Sequence, residues 1–272
     1  MLTIGSLCSG IGGLDLAVER HYGATLAWHS DIDKQSNQVM QRHWPDALGI
    51  GDFTAIDPKT LPAIDLLSCG FPCQPVSTAG LQLGVNDERW LFDDIVEFVG
   101  NLRQPPKVMV FENVQGFLSN DHGNTARRVF GQIASMGYLL RYGVVRASDA
   151  GAPHRRARWF GLATLDANTS RPRLQRHWPR RELQEDLETS RTCWRDYARA
   201  VRHWESVIGR PAPSPTFLDS YKKPNPAFIE WMLGYPKGWI TDVIHDRTGP
   251  YRLLGNSVCP PQAELALDLL DV

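Results

Sequence analysis

Cys73 stands in the stretch Gly70-Phe71-Pro72-Cys73-Gln74-Pro75, with a proline on each side of the thiol. An apolar run at residues 64–68 comes just before it and predicts a buried parallel strand. Proline fixes φ and favours extended geometry in the residue before it, so this thiol is held on a stiff loop. Open α/β sheets bind ligands at the carboxyl edge of their strands. The position therefore suits a nucleophile, while a buried, unreactive cysteine is the alternative.

Two further groups could act on the same substrate as this thiol. A second apolar run, residues 107–111, leads into Glu112-Asn113-Val114 and predicts a neighbouring strand with an acid at its carboxyl end. Such an acid could act as a general acid if burial raises its pKa, or it could be a structural, hydrogen-bonded carboxylate. Arg156 and Arg158 alternate with Ala157, so both project to one face of a predicted strand. Two guanidinium groups on one face suit phosphate or carbonyl oxygens.

The amino-terminal region has the pattern of a nucleotide-cofactor site. A strand at residues 3–7 runs into Cys8-Ser9-Gly10-Ile11-Gly12-Gly13 and then a helix, so glycine permits close backbone approach at a helix amino end. The spacing is not GxGxxG, and no triphosphate-binding lysine follows. Asp31 follows the second strand, residues 25–30, where it could bind ribose hydroxyls or cap the next helix.

Other elements complete the sequence pattern of an α/β domain. Strands alternate with helices at about residues 90–102 and 124–136, and residues 138–147 and 159–163 predict a hairpin. The stretch 76–88 predicts a long loop beside the thiol, of the kind that forms an active-site lid. Asp52 could accept a hydrogen bond from an exocyclic amine, and Phe53 could pack on a purine.

The alternation stops at Asp166, beyond which a helix is predicted over residues 182–208 and a short apolar helix, stopped by glycine and proline, in the stretch 225–236. A last helix runs to the carboxyl end. Fifteen arginines, no lysine and eight acids lie between residues 141 and 210, although the net charge of the chain is −1. This asymmetry favours a face that binds a polyanion, with a solvated, salt-bridged surface as the alternative.

Composition narrows the class of protein. The chain has 272 residues, 42% of them hydrophobic, enough for one large domain or two small ones. Its apolar runs are too short for a membrane span, and its amino terminus lacks the pattern of a secretory signal. Five cysteines without scaffold spacing favour a reducing cytoplasm. Cys69 and Cys73 have no second Cys/His pair, which argues against structural zinc.

Taken together, these stretches resemble the DNA (cytosine-5)-methyltransferase family of the bacterial or phage type. The resemblance covers nearly the whole chain and is weakest between residues 166 and 246. It is carried, in the family's order, by Ser9-Gly10-Ile11-Gly12-Gly13, Gly70-Phe71-Pro72-Cys73-Gln74, Glu112-Asn113-Val114, Pro153-His154-Arg155-Arg156-Ala157-Arg158 and Gly255-Asn256-Ser257-Val258.

The resemblance implies an α/β, Rossmann-like methyltransferase sheet with helices on both faces and a small inserted target-recognition domain. The catalytic, cofactor-binding domain would comprise residues 1–165 and 250–272, and the target-recognition domain residues 166–249.

The same resemblance assigns roles to the reactive residues. Cys73 would be the covalent nucleophile, adding to carbon 6 of cytosine so that carbon 5 can attack a methyl group. Glu112 would protonate N3, and Arg158 would donate to O2. Arg156 would hold a backbone phosphate or the active-site loop. The base that removes the carbon 5 proton stays unassigned, with a water as one candidate.

The implied methyl donor is S-adenosylmethionine, which would leave as S-adenosylhomocysteine, and no metal is expected. Its pocket would be lined by residues from the glycine turn, the tips of several strands and the carboxyl-terminal segment: Ser9, Gly10, Ile11, Gly13, Asp31, Ile32, Asp52, Phe53, Pro72, Leu91, Asn256 and Val258.

The implied substrate is double-stranded DNA with a short target site and a flipped-out cytosine. Arginines of the basic segment would face the backbone, and the irregular stretch 168–181 would read bases. The expected DNA-binding residues are Gln74, Ser77, Arg171, Arg173 and Arg176. The expected protein is a monomer in the cytoplasm of a bacterial or phage-infected cell. A restriction endonuclease acting on the same site is one further partner the resemblance allows.

Three positions depart from the usual pattern of the family. Cys8 stands where phenylalanine is usual, which would weaken packing on adenosine; Asp31 replaces glutamate; and His154 replaces glutamine.

Two alternative functions stay open: an RNA cytosine-5 methyltransferase, and a DNA-binding module without activity. Gln74 favours DNA, and the full set of Cys73, Glu112, Arg156 and Arg158 favours activity. Amino-group methylation is disfavoured, because the Asp/Ser-Pro-Pro-Tyr/Phe signature is absent. The target sequence is left open, as is a restriction–modification, solitary or phage-borne setting.

Overall fold

The chain folds around one twisted sheet with helices on both faces. The structure is a computed structural model that describes residues 1–72, 90–165, 194–217 and 220–272. Within those residues, the sheet strands are β1 (Thr3–Leu7), β2 (Thr25–Ser30), β3 (Leu48–Gly49), β4 (Leu66–Cys69), β5 (Val108–Val114), β6 (Leu139–Arg146) and β7 (Ala157–Thr164). Their order is β3-β2-β1-β4-β5-β7-β6. Strands β1 to β5 run parallel, and β7 is antiparallel to both β5 and β6.

The helices of the described residues are α1 (Gly13–Tyr22), α2 (Lys34–His43), α3 (Phe92–Gly100), α4 (Asn124–Ser135), α5 (Ala198–Ile208), α6 (Pro226–Met232), α7 (Gly249–Asn256) and α8 (Pro260–Leu270). A small antiparallel hairpin, β8 (Thr216–Phe217) and β9 (Ser220–Pro224), precedes α6. This architecture confirms the predicted α/β, Rossmann-like fold.

Strand alternation sends neighbouring side chains into two different cores. Leu67 and Met109 pack on one face of the sheet with apolar residues of α3 and α4. Leu66 and Val110 pack on the other face with α1 and α8. Both faces of the parallel strands are therefore buried, which explains why these strands read as continuous apolar runs.

The carboxyl-terminal helix returns to the first part of the chain, as the resemblance implied. Helix α8 packs on α1 and β6. Arg20 Nη1 of α1 lies 2.9 Å from Glu264 Oε1 of α8. Helices α1 and α8 therefore share one face of the sheet, and the segment just before α8 reaches the glycine turn.

Several predicted boundaries differ from the observed ones. The described part of the helix predicted over residues 182–208 begins at Ala198, after a 3₁₀ turn at Arg195–Tyr197, and residues 182–193 lie outside the described residues. Helix α7 was not predicted because it begins with a glycine and has a second glycine just before its last residue. Its proline lies in the first turn, where a missing N–H costs nothing, and Leu253 and Leu254 are buried. Burial of these leucines outweighs the low helix propensity of glycine.

A third core joins the region after residue 194 to the sheet. It contains Trp204 of α5, Trp231 of α6, Ile240, Leu253 of α7 and Ile11 of the glycine turn, among others. Residues from both predicted domains thus share this core. The predicted division at residues 166–249 stays a prediction.

Candidate active site

A pocket lies where the strand order reverses, beside the carboxyl ends of β1 and β4. This is the place where open parallel sheets bind ligands. The pocket brings together seven of the predicted site residues, from three distant parts of the chain: Ser9, Gly10, Ile11, Gly13, Glu112, Asn256 and Val258.

The glycine turn is tied to the end of β2 through backbone and side-chain hydrogen bonds. The backbone N–H and the hydroxyl of Ser9 both donate to the Ser30 carbonyl, at 3.0 and 3.1 Å. Gly10 N–H donates to Asp31 Oδ2 at 2.8 Å. Gly10 and Gly12 have φ of 55° and 78°, the left-handed region that glycine adopts without strain. Cys8 adopts φ 52° without being a glycine, so the turn begins with a strained residue.

Neighbouring aromatic side chains explain why residues 12 and 13 are glycines. A Cβ on Gly12 would lie 2.3 Å from the Trp44 ring, and a Cβ on Gly13 would lie 2.1 Å from the Tyr235 hydroxyl. No heavy atom lies within 4 Å of a Cβ on Gly10 in the described part of the chain. The turn is therefore packed behind Gly12 and Gly13 and has open space at Gly10.

Of the two roles that the sequence left open for Asp31, helix capping belongs to Asp33, and ribose binding stays a prediction. Asp33 caps α2, since its Oδ1 accepts from Ser36 N–H at 2.8 Å. Asp31 instead accepts from Gly10 N–H of the glycine turn and from Asp33 N–H, the latter at 2.8 Å. Burial raises the pKa of Asp31. Ile32 is 78% exposed beside it, which leaves an apolar side chain open to a ligand.

The remaining predicted cofactor residues lie at the other strand tips. Asp52 is exposed and caps the 3₁₀ helix Phe53–Ala55, with Thr54 N–H donating to its Oδ1 at 3.0 Å. Phe53 is buried in the core, with its ring centroid 5.4 Å from that of Phe98. Pro72 and Leu91 are half-buried. Packing on a purine by Phe53 stays a prediction, because its described contacts are with the core.

Glu112 and Arg158 form a buried ion pair at the carboxyl end of β5. Arg158 Nε lies 2.9 Å from Glu112 Oε1. Within the described residues this oxygen has no aligned hydrogen bond, so the contact is an ion pair of imperfect geometry. Burial raises the pKa of Glu112, and the nearby Arg158 and Arg156 offset part of that rise. The carboxyl therefore keeps its proton to a higher pH than an exposed glutamate, as a general acid requires.

Arg156 reaches the carboxyl-terminal segment. Its Nη1 and Nη2 both donate to the Gly255 carbonyl at 3.2 Å, and Nη2 also donates to the Ser257 carbonyl. The two carbonyls flank Asn256, so Arg156 fixes the part of the pocket wall that this residue forms. Its predicted contact with a phosphate or with the loop at residues 76–88 stays a prediction.

The two other departures from the family pattern have local explanations. His154 Nε2 donates to the Met232 carbonyl at 3.0 Å, and burial lowers the pKa of its imidazole. A neutral His154 therefore attaches α6 to the chain just before β7. Cys8 lines the pocket beside Cys69, and burial and contact with the Cys8 thiol raise the pKa of the Cys69 thiol.

Sequence reasoning missed two polar residues of this region. Asn113 Nδ2 donates to the Phe71 carbonyl at 3.2 Å and so ties the end of β5 to the loop that carries Cys73. Asp15 lines the pocket, accepts from the Ser68 hydroxyl and is buried, which raises its pKa to about 6. Asn113 was visible beside Glu112, whereas Asp15 looked like an ordinary residue of the first helical turn.

Six predicted residues fall outside the described residues, and their roles stay predictions: Cys73, Gln74, Ser77, Arg171, Arg173 and Arg176. Among the residues that the structure does describe, no group of three or more His, Cys, Asp or Glu side chains could hold a metal ion. A search of the same residues for a helix long and apolar enough to cross a membrane also gives none.

Comparisons with known proteins show the family of this chain. The family model of the C-5 cytosine-specific DNA methylases matches residues 2–208. Type II methyltransferase M.NgoBI of Neisseria gonorrhoeae is 39% identical over 161 residues, 59% of this chain and 50% of that protein. Type II methyltransferase M.MspI of a Moraxella species is 27% identical over 285 residues, 94% of this chain and 67% of that protein.

The fold also matches solved structures. The Entamoeba histolytica methyltransferase EhMeth superposes with a TM-score of 0.68 at 19% identity, covering 100% of this chain and 98% of that one. At that identity the likeness concerns the fold alone. Several of the curated relatives are matched over about half of their length, among them M.NgoBI over 50% and M.Bsp6I of a Bacillus species over 51%.

Proposed function

Because the chain belongs to the C-5 cytosine-specific DNA methylase family, we propose that it methylates carbon 5 of cytosine in a short double-stranded DNA sequence, with S-adenosylmethionine as methyl donor. The observation that carries the proposal is the pocket that joins Glu112 to the glycine turn and to Asn256 and Val258. An acid and a cofactor turn at one sheet edge are what a reaction between a base and a bound methyl donor needs.

The glycine turn fits the proposed cofactor. Open space at Gly10 and the amino end of α1 suit the negatively charged end of an amino acid. The exposed Ile32 offers an apolar surface to an adenine ring. When bound, S-adenosylmethionine supplies an electrophilic methyl group.

The proposed chemistry uses this chain's residues as follows. The Cys73 thiolate adds to carbon 6 of cytosine, and Glu112 gives its proton to N3, so that carbon 5 becomes nucleophilic. Arg158, beside Glu112, donates to O2 as negative charge spreads there. After carbon 5 is methylated, a base removes its proton, the Cys73 sulfur leaves carbon 6, and N3 returns its proton to Glu112. Carbon 6 is attacked from above the ring, so the cytosine must leave the base stack.

The basic segment supports DNA as the partner. Fifteen arginines and eight acids between residues 141 and 210 give a local positive charge in a chain of net charge −1. We place the DNA backbone against this segment. Replacing Arg171, Arg173 and Arg176 by alanine is expected to flatten the salt dependence of DNA binding, and an unchanged slope would refute the placement. A cytoplasmic, monomeric enzyme is proposed, with a restriction endonuclease of the same target as one possible partner.

One experiment tests the activity and the target together. DNA from cells that express the protein is sequenced after bisulfite treatment, and methylated cytosines in a common sequence context are expected. Purified protein is incubated in parallel with S-adenosylmethionine and either mixed-sequence DNA or tRNA. Methylated tRNA with unmethylated DNA would replace the proposed substrate by RNA, and no 5-methylcytosine in either would refute the activity.

The covalent step has its own test. Cys73→Ala is expected to abolish methylation while DNA binding stays largely intact, because the side chain acts only on carbon 6. Wild-type protein should form a covalent adduct with 5-fluorocytosine DNA, and the variant should form none. Turnover by the variant would overturn the mechanism.

A further inference from the structure

The segment after α6, residues 233–240, lies against the candidate cofactor pocket although it is about 220 positions from the glycine turn. It belongs to the third core together with Ile11 and Val39. Two of its side chains, Tyr235 and Trp239, donate hydrogen bonds to backbone carbonyls of pocket residues. Neither side chain lines the pocket itself.

Trp239 holds the glycine turn. Its Nε1–H donates to the Ile11 carbonyl at 2.9 Å, between residues 228 positions apart. The indole stacks on the His43 ring with centroids 3.6 Å apart and meets the edge of Trp44 at 5.4 Å. His43 Nε2 in turn donates to the Trp239 carbonyl at 2.8 Å. The indole therefore has a fixed orientation, and its N–H fixes the position of the turn.

Tyr235 holds the carboxyl-terminal segment, which also lines the pocket. Its hydroxyl donates to the Val258 carbonyl at 2.9 Å and touches the position where Gly13 lacks a Cβ. Burial raises the pKa of this hydroxyl, so it keeps the proton that it donates. One side chain thus spaces the glycine turn from the carboxyl-terminal segment.

The segment that carries both side chains is itself rigidly held. The buried Glu230 carboxylate accepts from Gly238 N–H at 2.7 Å and from Ile240 N–H at 2.9 Å. These two bonds fix the backbone of the residues before and after Trp239. A carboxylate bound by backbone N–H groups is a strong, charge-assisted contact.

We propose that Tyr235 and Trp239 are positioning residues that hold the two walls of the cofactor pocket, Ile11 and Val258, at the separation needed for binding. The inference rests on the proposed function for the identity of the ligand, S-adenosylmethionine or its product. It goes beyond that function because two residues of the predicted target-recognition domain would set the shape of the cofactor pocket.

The test uses variants that remove one donor and keep the ring: Trp239→Phe, Tyr235→Phe and the double variant. Affinity for S-adenosylhomocysteine is measured by calorimetry on the full chain. Each single variant is expected to bind about fivefold to twentyfold more weakly, because a buried hydrogen bond is lost and a carbonyl is left unpaired. The double variant is expected to bind more weakly than either.

Two matched controls lose the same kind of hydrogen bond elsewhere. Trp28 Nε1 donates to the Pro62 carbonyl at 3.2 Å, and the Tyr138 hydroxyl donates to the Pro106 carbonyl at 2.6 Å. Trp28→Phe and Tyr138→Phe are expected to lower the thermal midpoint by a similar amount and to keep affinity within about twofold. Equal loss of affinity in these controls would overturn the proposal, since general destabilisation would then explain it.

A second readout needs no ligand. The Gly12 amide donates to the Ser9 carbonyl at 3.0 Å, and the Ser257 amide donates to the Leu254 carbonyl at 3.3 Å. Hydrogen exchange of Gly12 should accelerate in Trp239→Phe, and that of Ser257 in Tyr235→Phe, with no change in the controls. Unchanged exchange in both variants would refute the positioning role. Failure of the wild-type protein to bind S-adenosylhomocysteine would instead refute the proposed cofactor, and exchange alone would decide the positioning role.

Discussion

The acid site at Glu112 and the glycine turn at residues 8–13 lie at one edge of the same sheet but are built in opposite ways. At Glu112 the candidate reactive atoms belong to side chains, and the Arg158 guanidinium 2.9 Å away offsets part of the cost of burying the carboxylate. At the turn, aromatic side chains pack behind Gly12 and Gly13, and one of them binds the Ile11 carbonyl, so the backbone position depends on them. Changes at the acid site should therefore alter chemistry, whereas changes around the turn should alter affinity.

Glu112→Gln gives the largest expected effect. The amide cannot give a proton to N3, so the rate of methyl transfer should fall by about 100- to 1000-fold, within the usual range for general acid catalysis. Single-turnover kinetics measures this rate, and calorimetry should show cofactor affinity within about twofold of wild type. A large loss of cofactor affinity with an unchanged rate would reverse the contrast between the two regions.

The rate of the wild-type enzyme should also fall as pH rises through the raised pKa of Glu112, because the protonated carboxyl is the acid. A pH profile of the single-turnover rate checks this direction, and a rate that rises over the same range would contradict it.

Arg158→Ala and Arg156→Ala separate the two arginines. Arg158→Ala leaves the buried Glu112 without its close partner, which should cost about 3 kcal/mol of stability and raise the pKa of Glu112 further. Arg156→Ala removes the donors to the Gly255 and Ser257 carbonyls, so cofactor affinity should fall more than the rate of methyl transfer. Denaturant unfolding measures the loss of stability, and calorimetry measures the loss of cofactor affinity. Identical effects of the two variants would remove the distinction.

Asp15→Asn tests the buried carboxyl beneath the turn. Its pKa is raised from 3.8 to about 6, so the folded protein binds more protons than the unfolded chain between these values. The carboxylate therefore costs stability as pH rises through this range, and the penalty is complete above the folded pKa. Asp15→Asn should be more stable than wild type at pH 7.5, by about 3 kcal/mol, and most of this gain should be lost near pH 4.

Asp65→Asn is the matched control for that pH dependence. Lys107 lowers the pKa of Asp65, so this carboxylate adds stability above its unfolded pKa and loses it as pH falls. Its replacement should therefore destabilise the protein at neutral pH. Urea unfolding at several pH values checks both signs. If the free energy of unfolding of Asp15→Asn and of wild type changed with pH in parallel, the raised pKa of Asp15 would be contradicted.

Ile32→Ala gives the smallest expected effect. The side chain is 78% exposed, so its loss should leave the thermal midpoint unchanged. Affinity for S-adenosylhomocysteine should fall by about threefold to tenfold, because the lost carbons would otherwise be buried by adenine. Leu48→Ala, at an exposed apolar residue of β3, is the control and should bind as wild type does. Equal affinity in both variants would move the adenine away from Ile32.

Much of this fold follows from local sequence patterns. Strands β1 and β2 have the predicted limits, and the alternation of apolar strands with helices predicted the sheet before residue 166. Glu112, Arg156 and Arg158 were identified because their residue types and spacing match a specific chemistry. Such patterns extend over a few residues, so they can be recognised without knowledge of distant contacts.

Tertiary contacts decided what these patterns left open. Asp31 and Asp33 are two positions apart, and only the fold shows that Asp33 caps α2 while Asp31 holds Gly10. Phe53 could face a purine or the core, and its described neighbours are core residues. For the two aspartates, either residue could cap the helix by sequence alone, and packing selects Asp33. Contact of Phe53 with a purine stays a prediction.

Residue types and short-range periodicity were enough to predict the family, the sheet and the candidate reactive side chains, because none of these predictions needs a distant contact. The way the glycine turn is held became visible only in the folded structure. Its second and third glycines are required by Trp44 and Tyr235, and its carbonyl at Ile11 is fixed by Trp239. These partners lie on other elements, and their contact exists only after chain folding has closed loops of up to 228 residues and buried the third core.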